Sequence, residues 1–192
     1  MTPRDYTKLS LADVREDLNA IARDTETTFA GLNAQQLNWR PDEQRWSVAQ
    51  CFEHLLTSND LMFRGAQAAL DATEPGSVWR RLPGWPGFAG RALIRSQSPQ
   101  ATRKYTAPPS SRPALSAIDA DVVQRFLQQL KSAAERAGAL DEGLAARTIM
   151  TSPFLRVITY SVLDGWRLLV AHARRHVEQA RRVMQAPAFP KA

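Results

Sequence analysis

The segment that decides the fold lies near the C-terminus and has the sequence WRLLVAHARRHVEQARRVM over residues 166–184. Its apolar residues recur every three to four positions, which places them along one face of an α-helix. The charged residues fall outside that face, and His172 and His176 lie in an uncharged strip at its border. Pro187 ends the predicted helix, which we place at about residues 155–184.

Three further stretches show the same helical periodicity. The first begins at Ser10 and runs to Leu32, the second begins at Ser47, and the third covers residues 115–137, with Gly138 as its predicted C-terminal cap. Each of the two serines is followed three residues later by a side chain that can complete a capping box. No stretch alternates convincingly between apolar and polar residues as a strand does. The sequence therefore predicts an all-α protein, a four-helix bundle.

Residues 73–113 break the helical pattern. Seven of the twelve prolines and four of the nine glycines lie here, and we predict only a short helix over residues 88–95. A connection of this length is usually either a functional crossover or disordered. Large apolar side chains favour a packed crossover between the second and third long helices, because disordered segments lack them. These residues are Trp79, Leu82, Trp85 and Phe88.

Basic residues outnumber acidic ones by 25 to 19, which gives the 192-residue chain a formal net charge of +6. No acidic residue occurs between residues 75 and 118, so this segment is locally positive. The charge favours anionic partners, and we expect a small anionic molecule. A nucleic-acid binder is the weaker alternative, because the charge is moderate and no recognition motif is present. The arginine pairs at 174–175 and 181–182 could bind phosphate, although a solvated helix face is their usual role.

The length of the chain favours a single domain over residues 1–192, with a core that needs no disulfide. Cys51 is the one cysteine, so no intramolecular disulfide can form and nothing points to secretion. No apolar run approaches the roughly 18 residues of a membrane span, and the first five residues do not start an apolar leader. We therefore expect a cytoplasmic protein with no membrane partner.

The chain contains three histidines, and their placement suggests a shared site. His172 and His176 are four residues apart, so both imidazoles can point at one ligand from the same side of a helix, as in many transition-metal sites. His54 lies in a similarly uncharged strip of the second helix. The spacing leaves two interpretations equally open: a metal site completed from another helix, or three unrelated, partly buried histidines.

No residue stands out in the sequence as a general base or a nucleophile. Glu53 projects about 100° away from the neighbouring histidine on its helix, and Asp164 lies on another side of the last helix from the histidine pair. We expect structural or solvated roles for both, and packing for Tyr160. Cys51 falls on the apolar side of the second helix, where a buried and unreactive thiol is expected.

Two segments of the chain resemble the DinB/YfiT-like family. Residues 46–55, WSVAQCFEHL, are similar to the segment that opens the second helix of that family, and residues 168–179, LLVAHARRHVEQ, are similar to its late H-x-x-x-H helix. The resemblance implies a four-helix bundle with up-down-down-up connectivity and a long crossover between helices 2 and 3. It also implies a homodimer and a divalent metal, commonly nickel, zinc or manganese. Transferred residue by residue, the metal ligands are His54, His172 and His176.

The resemblance also implies a class of chemistry. Characterised relatives include transferases and isomerases that use a low-molecular-weight thiol such as bacillithiol, mycothiol or glutathione. Three histidine ligands leave a coordination position open, which is typical of a catalytic metal site. We expect a metalloenzyme that activates water or a thiol, of the thiol-dependent transferase or hydrolase type. A non-catalytic metal-binding or stress-related helical protein is the alternative that the same histidines allow.

Overall fold

The computed structural model describes residues 4–73, 78–103 and 105–191. Residues 74–77 and 104 of the predicted crossover lie outside this description. The described chain is mostly helical, with one small two-stranded sheet. Its α-helices are α1 (Leu11–Phe29), α2 (Ala34–Asn38), α3 (Val48–Leu70), α4 (Trp85–Gln97), α5 (Val122–Ala139), α6 (Glu142–Arg147) and α7 (Val162–Met184), and its strands are β1 (Ile149–Thr151) and β2 (Thr159–Ser161). Short 3₁₀ turns cover Tyr6–Lys8, Val78–Arg81 and Pro109–Ser111.

Helices α1 and α3 begin at side-chain caps that the sequence predicts. The hydroxyl of Ser10 accepts a hydrogen bond from the backbone N–H of Asp13, and the Asp13 carboxylate accepts one from the N–H of Ser10. Ser47 and Gln50 form the same reciprocal pair at the start of α3. Such a capping box satisfies N–H groups that the first turn of a helix leaves without intrahelical partners. Both predicted helix starts are confirmed.

The four long helices pack side by side around one core. Helix α1 lies against α5 and α7, and α3 lies against the same two helices. Phe29 of α1, Phe52 of α3 and Phe126 of α5 are fully buried, with ring centroids 5.1 and 5.2 Å apart for the two successive pairs. Truncating a buried Phe typically costs about 3–5 kcal/mol, so this row stabilises the packing of three helices at once. The prediction of an all-α protein is confirmed.

The third long helix is shorter at its start than predicted. Helix α5 begins at Val122 rather than near residue 115, because the preceding backbone is held in another conformation. The side-chain amide of Asn38 donates to the carbonyl of Ile118 and accepts from its N–H, at 2.9 and 2.8 Å. The prediction of Gly138 as a C-terminal cap is also wrong, since α5 continues through it to Ala139.

The last helix also begins later than predicted, at Val162 instead of about residue 155. The preceding residues form an antiparallel hairpin in which Met150 pairs with Tyr160, and its loop is closed by a hydrogen bond from the N–H of Ser152 to the carbonyl of Ile158. We predicted no strand here. Three-residue strands are too short to show the period-two alternation that identifies a strand in a sequence.

The described part of the crossover is packed onto the helices. The predicted helix at 88–95 is present as the longer α4, which starts after Gly84, a residue with a φ of 74° that a side chain would strain. Helix α4 lies against α7 and against β2. Buried Ile94 anchors it in the core. Within the described ranges, no helix is long and apolar enough to cross a membrane.

Candidate metal centre

The three histidines of the chain meet between α3 and α7. One ring nitrogen from each of His54, His172 and His176 can be chosen such that all three atoms lie within 4.8 Å of one another. The Nε2 atoms of His54 and His172 are 3.2 Å apart. Two nitrogen ligands about 2.1 Å from one tetrahedral ion stand roughly 3.4 Å apart, so this separation suits a shared cation. The spacing left two interpretations open. The grouping of the three rings contradicts the one in which the histidines are unrelated.

The position of each histidine follows from the two helices that hold it. Helices α3 and α7 pack directly against each other, and both present small or uncharged side chains next to the histidines. His172 and His176 are one turn apart on α7, with ring centroids 4.5 Å apart. The centroid of His54 lies 5.1 and 4.7 Å from theirs. Two packed helices therefore bring the three rings together.

The tautomer of His54 is set by a backbone carbonyl. Its Nδ1 atom lies 2.7 Å from the carbonyl oxygen of Ser111, in the 3₁₀ turn Pro109–Ser111. Because a carbonyl oxygen only accepts, Nδ1 carries the proton and donates it. The lone pair of His54 then sits on Nε2, which faces His172. Histidines that bind metals are commonly oriented by such a hydrogen bond from the other ring nitrogen.

The cluster contains an unpaired polar atom. The Nδ1 atom of His176 is buried and has no hydrogen-bond partner among the residues that the structure describes. A buried polar atom without a partner is costly, and native proteins rarely leave one without a reason. A cation that accepts a nitrogen lone pair would supply such a partner. The close approach of the Nε2 atoms of His54 and His172 fits the cluster to a shared cation.

All three imidazoles are held in the neutral form. Burial, with smaller contributions from the neighbouring His54 and Arg175, lowers the pKa of His172 to about 3. Burial also lowers the pKa of His176 well below its ordinary value, with smaller contributions from the same neighbours and from His172. The pKa of His54 is lowered by burial, while its bond to the Ser111 carbonyl acts in the opposite direction. Neutral rings keep the lone pairs that a cation needs.

The walls of the centre contain two residues whose role the sequence did not reveal. The indole of Trp46 stacks on His176, with centroids 5.7 Å apart and ring planes 22° from parallel, and lies 5.0 Å from His54. Arg175 donates to four backbone carbonyls of residues 96–103 and thereby ties the end of the crossover to α7. His172 is the least buried of the three histidines, so access from solvent is on its side.

The remaining candidate residues have structural roles, as predicted. The Glu53 carboxylate accepts from the N–H of Ala114 at 2.6 Å, and Asp164 pairs with Arg167 at 2.9 Å. The ring of Tyr160 is buried against Gly165. Cys51 is fully buried, and burial raises the pKa of its thiol to about 12. A thiol that is both inaccessible and protonated is inert.

Fold and site together define a helical protein with a buried group of three histidines that could hold a metal ion. The chain belongs to the DinB superfamily, whose family model matches residues 17–180. The matched region contains all three histidines. No curated protein and no solved structure matches the chain. The predicted resemblance to this family is confirmed.

Proposed function

We propose that the protein is a single-domain, four-helix-bundle metalloprotein that holds a divalent cation with His54, His172 and His176. The observation that supports this most strongly is the convergence of three neutral ring nitrogens from two packed helices. The side-by-side packing of the four long helices supports the bundle, with the up-down-down-up connectivity expected of the family. We extend the domain to residues 1–192, beyond the matched region at both ends.

The donor set narrows the choice of metal. Three neutral imidazoles suit borderline cations, so nickel, zinc and manganese all remain candidates. Nitrogen donors bind divalent nickel and zinc more tightly than manganese in the usual affinity order, which favours the first two. The group contains no carboxylate or thiolate, so a bound cation keeps nearly its full positive charge.

A bound cation would act there as a Lewis acid and lower the pKa of a water or thiol in its vicinity. The chain's own residues perform the other tasks. The Ser111 carbonyl holds the proton of His54 on Nδ1, and Trp46 covers two of the rings and excludes water from that side. The partial exposure of His172 leaves an approach for a small molecule. No residue of the chain is assigned as a general base.

We propose a thiol-dependent transferase or hydrolase reaction on a small anionic substrate, with a low-molecular-weight thiol as possible co-substrate, in a cytoplasmic homodimer. A non-catalytic metal-binding protein is the second candidate, because the same three histidines would hold a cation without turnover. Turnover by the metal-loaded protein of an electrophile with glutathione, bacillithiol or mycothiol separates the two. Turnover that requires both thiol and metal supports the transferase, and no turnover with any thiol favours the passive binder.

The metal site itself is tested by elemental analysis of the purified protein and of His172→Ala. We expect about one metal per chain in the wild type and almost none in the variant, with unchanged helical circular dichroism. Arg182→Ala is the matched control, because Arg182 is an exposed residue of the same helix. Equal metal contents in the wild type and His172→Ala would falsify the proposal. Light scattering of the same samples tests the homodimer.

A further inference from the structure

Exposed apolar side chains are concentrated on one surface of the molecule. Within the part of the chain that the structure describes, seven large apolar side chains are exposed, and five of them come from residues 78–88 and from the loop between β1 and β2. Three belong to the crossover and two to the loop between β1 and β2. We call these five residues the apolar tip: Val78, Leu82, Phe88, Leu155 and Val157.

The two segments of the apolar tip are held together by specific contacts. The indole N–H of Trp85 donates to the carbonyl of Val157 at 3.0 Å, and the hydroxyl of Thr159 donates to the carbonyl of Trp79 at 3.2 Å. The rings of Trp79 and Trp85 lie 5.6 Å apart, and Phe88 lies 6.1 Å from Trp85. The tip is therefore one continuous surface with a tryptophan pair beneath it.

The two chain segments that form the apolar tip contain basic residues and no acidic ones. Neither residues 78–118 nor residues 148–163 contain an acidic residue. Exposed arginines lie among the apolar side chains of the crossover segment, at Arg81 and Arg91. A partner that buries the tip must therefore be apolar in its interior and anionic at its surface.

We propose that the apolar tip docks onto the surface of an anionic lipid bilayer. Val78 and Phe88 are 75% and 62% exposed, so they project from the surface instead of lining a groove. A bilayer can bury projecting side chains without a matching shape, while arginines stay at the level of the anionic headgroups. A second copy of the chain fits less well, because a two-fold contact through the tip would bring like charges together.

Docking onto a membrane surface differs from the membrane-spanning contact that the sequence argues against. The expectation of no membrane partner rested on the lack of an apolar span, and surface binding needs no span. The proposal does not depend on a bound metal either. The tip adjoins the start of α7, ten residues and about 15 Å of helix before His172.

The test is co-sedimentation of the full-length protein with vesicles of phosphatidylserine and phosphatidylcholine, and with vesicles of phosphatidylcholine alone. We expect binding to the anionic vesicles that weakens as salt is added. Phe88→Ser should lower the partition coefficient about tenfold, and Arg91→Gln about fivefold. Leu115→Ser is the matched control, because Leu115 is 86% exposed and lies outside the tip.

Three results would overturn the proposal. One is the absence of binding to anionic vesicles by a protein with native circular dichroism. Another is equal loss of binding in Phe88→Ser and Leu115→Ser, which would show non-specific adsorption. The third is a change of mass in light scattering caused by Phe88→Ser without any vesicle binding by the wild type, which would assign the surface to a second copy of the chain.

Discussion

On one side of α7, arginines pair with the carboxylates of neighbouring residues, and on the other side two histidines face a third histidine of α3. Arg174 lies 3.8 Å from both Asp17 and Asp24 of α1. Arg181 binds Asp24 at 2.6 Å and Glu178 at 2.5 Å. We call this the ionic side. The histidine group on the opposite side contains no carboxylate within the described ranges.

The comparison shows which side of α7 is available to a ligand. Arg174 and Arg181 pair with acidic side chains of the protein while remaining 25% and 29% exposed, so this solvated helix face also carries ion pairs. Binding phosphate there would mean breaking these ion pairs. The histidine side instead brings three buried or partly buried ring nitrogens together within 4.8 Å of one another. An electron-pair acceptor is the kind of ligand that this grouping of nitrogens suits.

The largest expected effect separates the two sides by metal affinity. His176→Ala should weaken binding of zinc or nickel by at least about a hundredfold, because loss of a direct ligand costs at least as much as loss of an outer hydrogen bond to one. Arg181→Ala, five residues further along the same helix, should leave the affinity unchanged. Competition with a chromophoric chelator measures both. Equal affinities for the two variants would remove the distinction between the sides.

The second prediction concerns the pH dependence of the free energy of unfolding. The histidine side and the ionic side contribute to it with opposite signs. Histidines whose folded pKa is lowered resist protonation, while the unfolded chain takes up protons near pH 6.5. The metal-free protein should therefore be fully stable above about pH 6.5 and lose about 1.4 kcal/mol per pH unit below it for each fully shielded histidine, down to a pKa of about 3 for His172.

The carboxyl of Asp17 changes the stability with pH in the opposite direction to the histidines. Burial raises its pKa, against the influence of Arg4 and Arg174. Its contribution to stability is full below its ordinary pKa and is lost as the pH rises through the folded value. Urea unfolding of the metal-free protein at a series of pH values measures the sum. A free energy of unfolding that stays constant between about pH 7 and pH 5 would contradict the shielding of the histidines.

The third prediction perturbs the ionic side alone. Asp17→Ala should destabilise the fold by about 1–3 kcal/mol, because it leaves Arg174 and Arg4 without their shared carboxylate. We place the effect below that of a fully buried pair, since the side chain of Arg4 is 45% exposed to screening water. Urea unfolding gives the loss, and chelator competition should show unchanged metal affinity. A fall in metal affinity would mean that the two sides are coupled.

The sequence was informative about two helix starts and the histidine pair, where the signal was local. The caps at Ser10 and Ser47 and the i,i+4 spacing of His172 and His176 depend on residues within one turn of each other, so the sequence shows them directly. The hairpin before α7 escaped prediction because three-residue strands carry no period. The late start of α5 escaped because it depends on Asn38, eighty residues away from Ile118.

The same division holds within the candidate site. The three histidines could be named from spacing and resemblance, but the carbonyl that fixes the tautomer of His54 could not. That carbonyl belongs to Ser111. Every residue has a backbone carbonyl, so the side chain at this position does not reveal the contact. The stacking of Trp46 on His176 likewise joins parts of the chain that are distant in sequence. Contacts made by backbone groups, and contacts between residues far apart in the chain, leave no recognisable pattern in the sequence.

The fourth prediction tests this long-range support of the histidine side. The segment that carries the Ser111 carbonyl is held to α3 through Ala114, whose N–H is bound by Glu53 and whose carbonyl is bound by Gln50. Glu53→Ala should weaken metal binding about tenfold, the lower end of the effect of outer-shell changes. Glu53→Gln keeps an acceptor oxygen and should recover most of the affinity. Equal losses in both variants would mean that the charge matters instead.

The smallest effect is expected at Cys51, which also lies on α3, one turn before Leu55 in the apolar core. Its buried thiol, with a pKa of about 12, should not react with a thiol reagent until the protein unfolds. Cys51→Ala should lower stability by about 1 kcal/mol through lost packing and leave metal binding and any thiol-dependent turnover unchanged. Such turnover would then have to use an added thiol. Loss of turnover in a folded, metal-loaded Cys51→Ala protein would contradict this. It would indicate that the nucleophile is the Cys51 thiol in the core and not an added thiol that reaches the histidines from solvent.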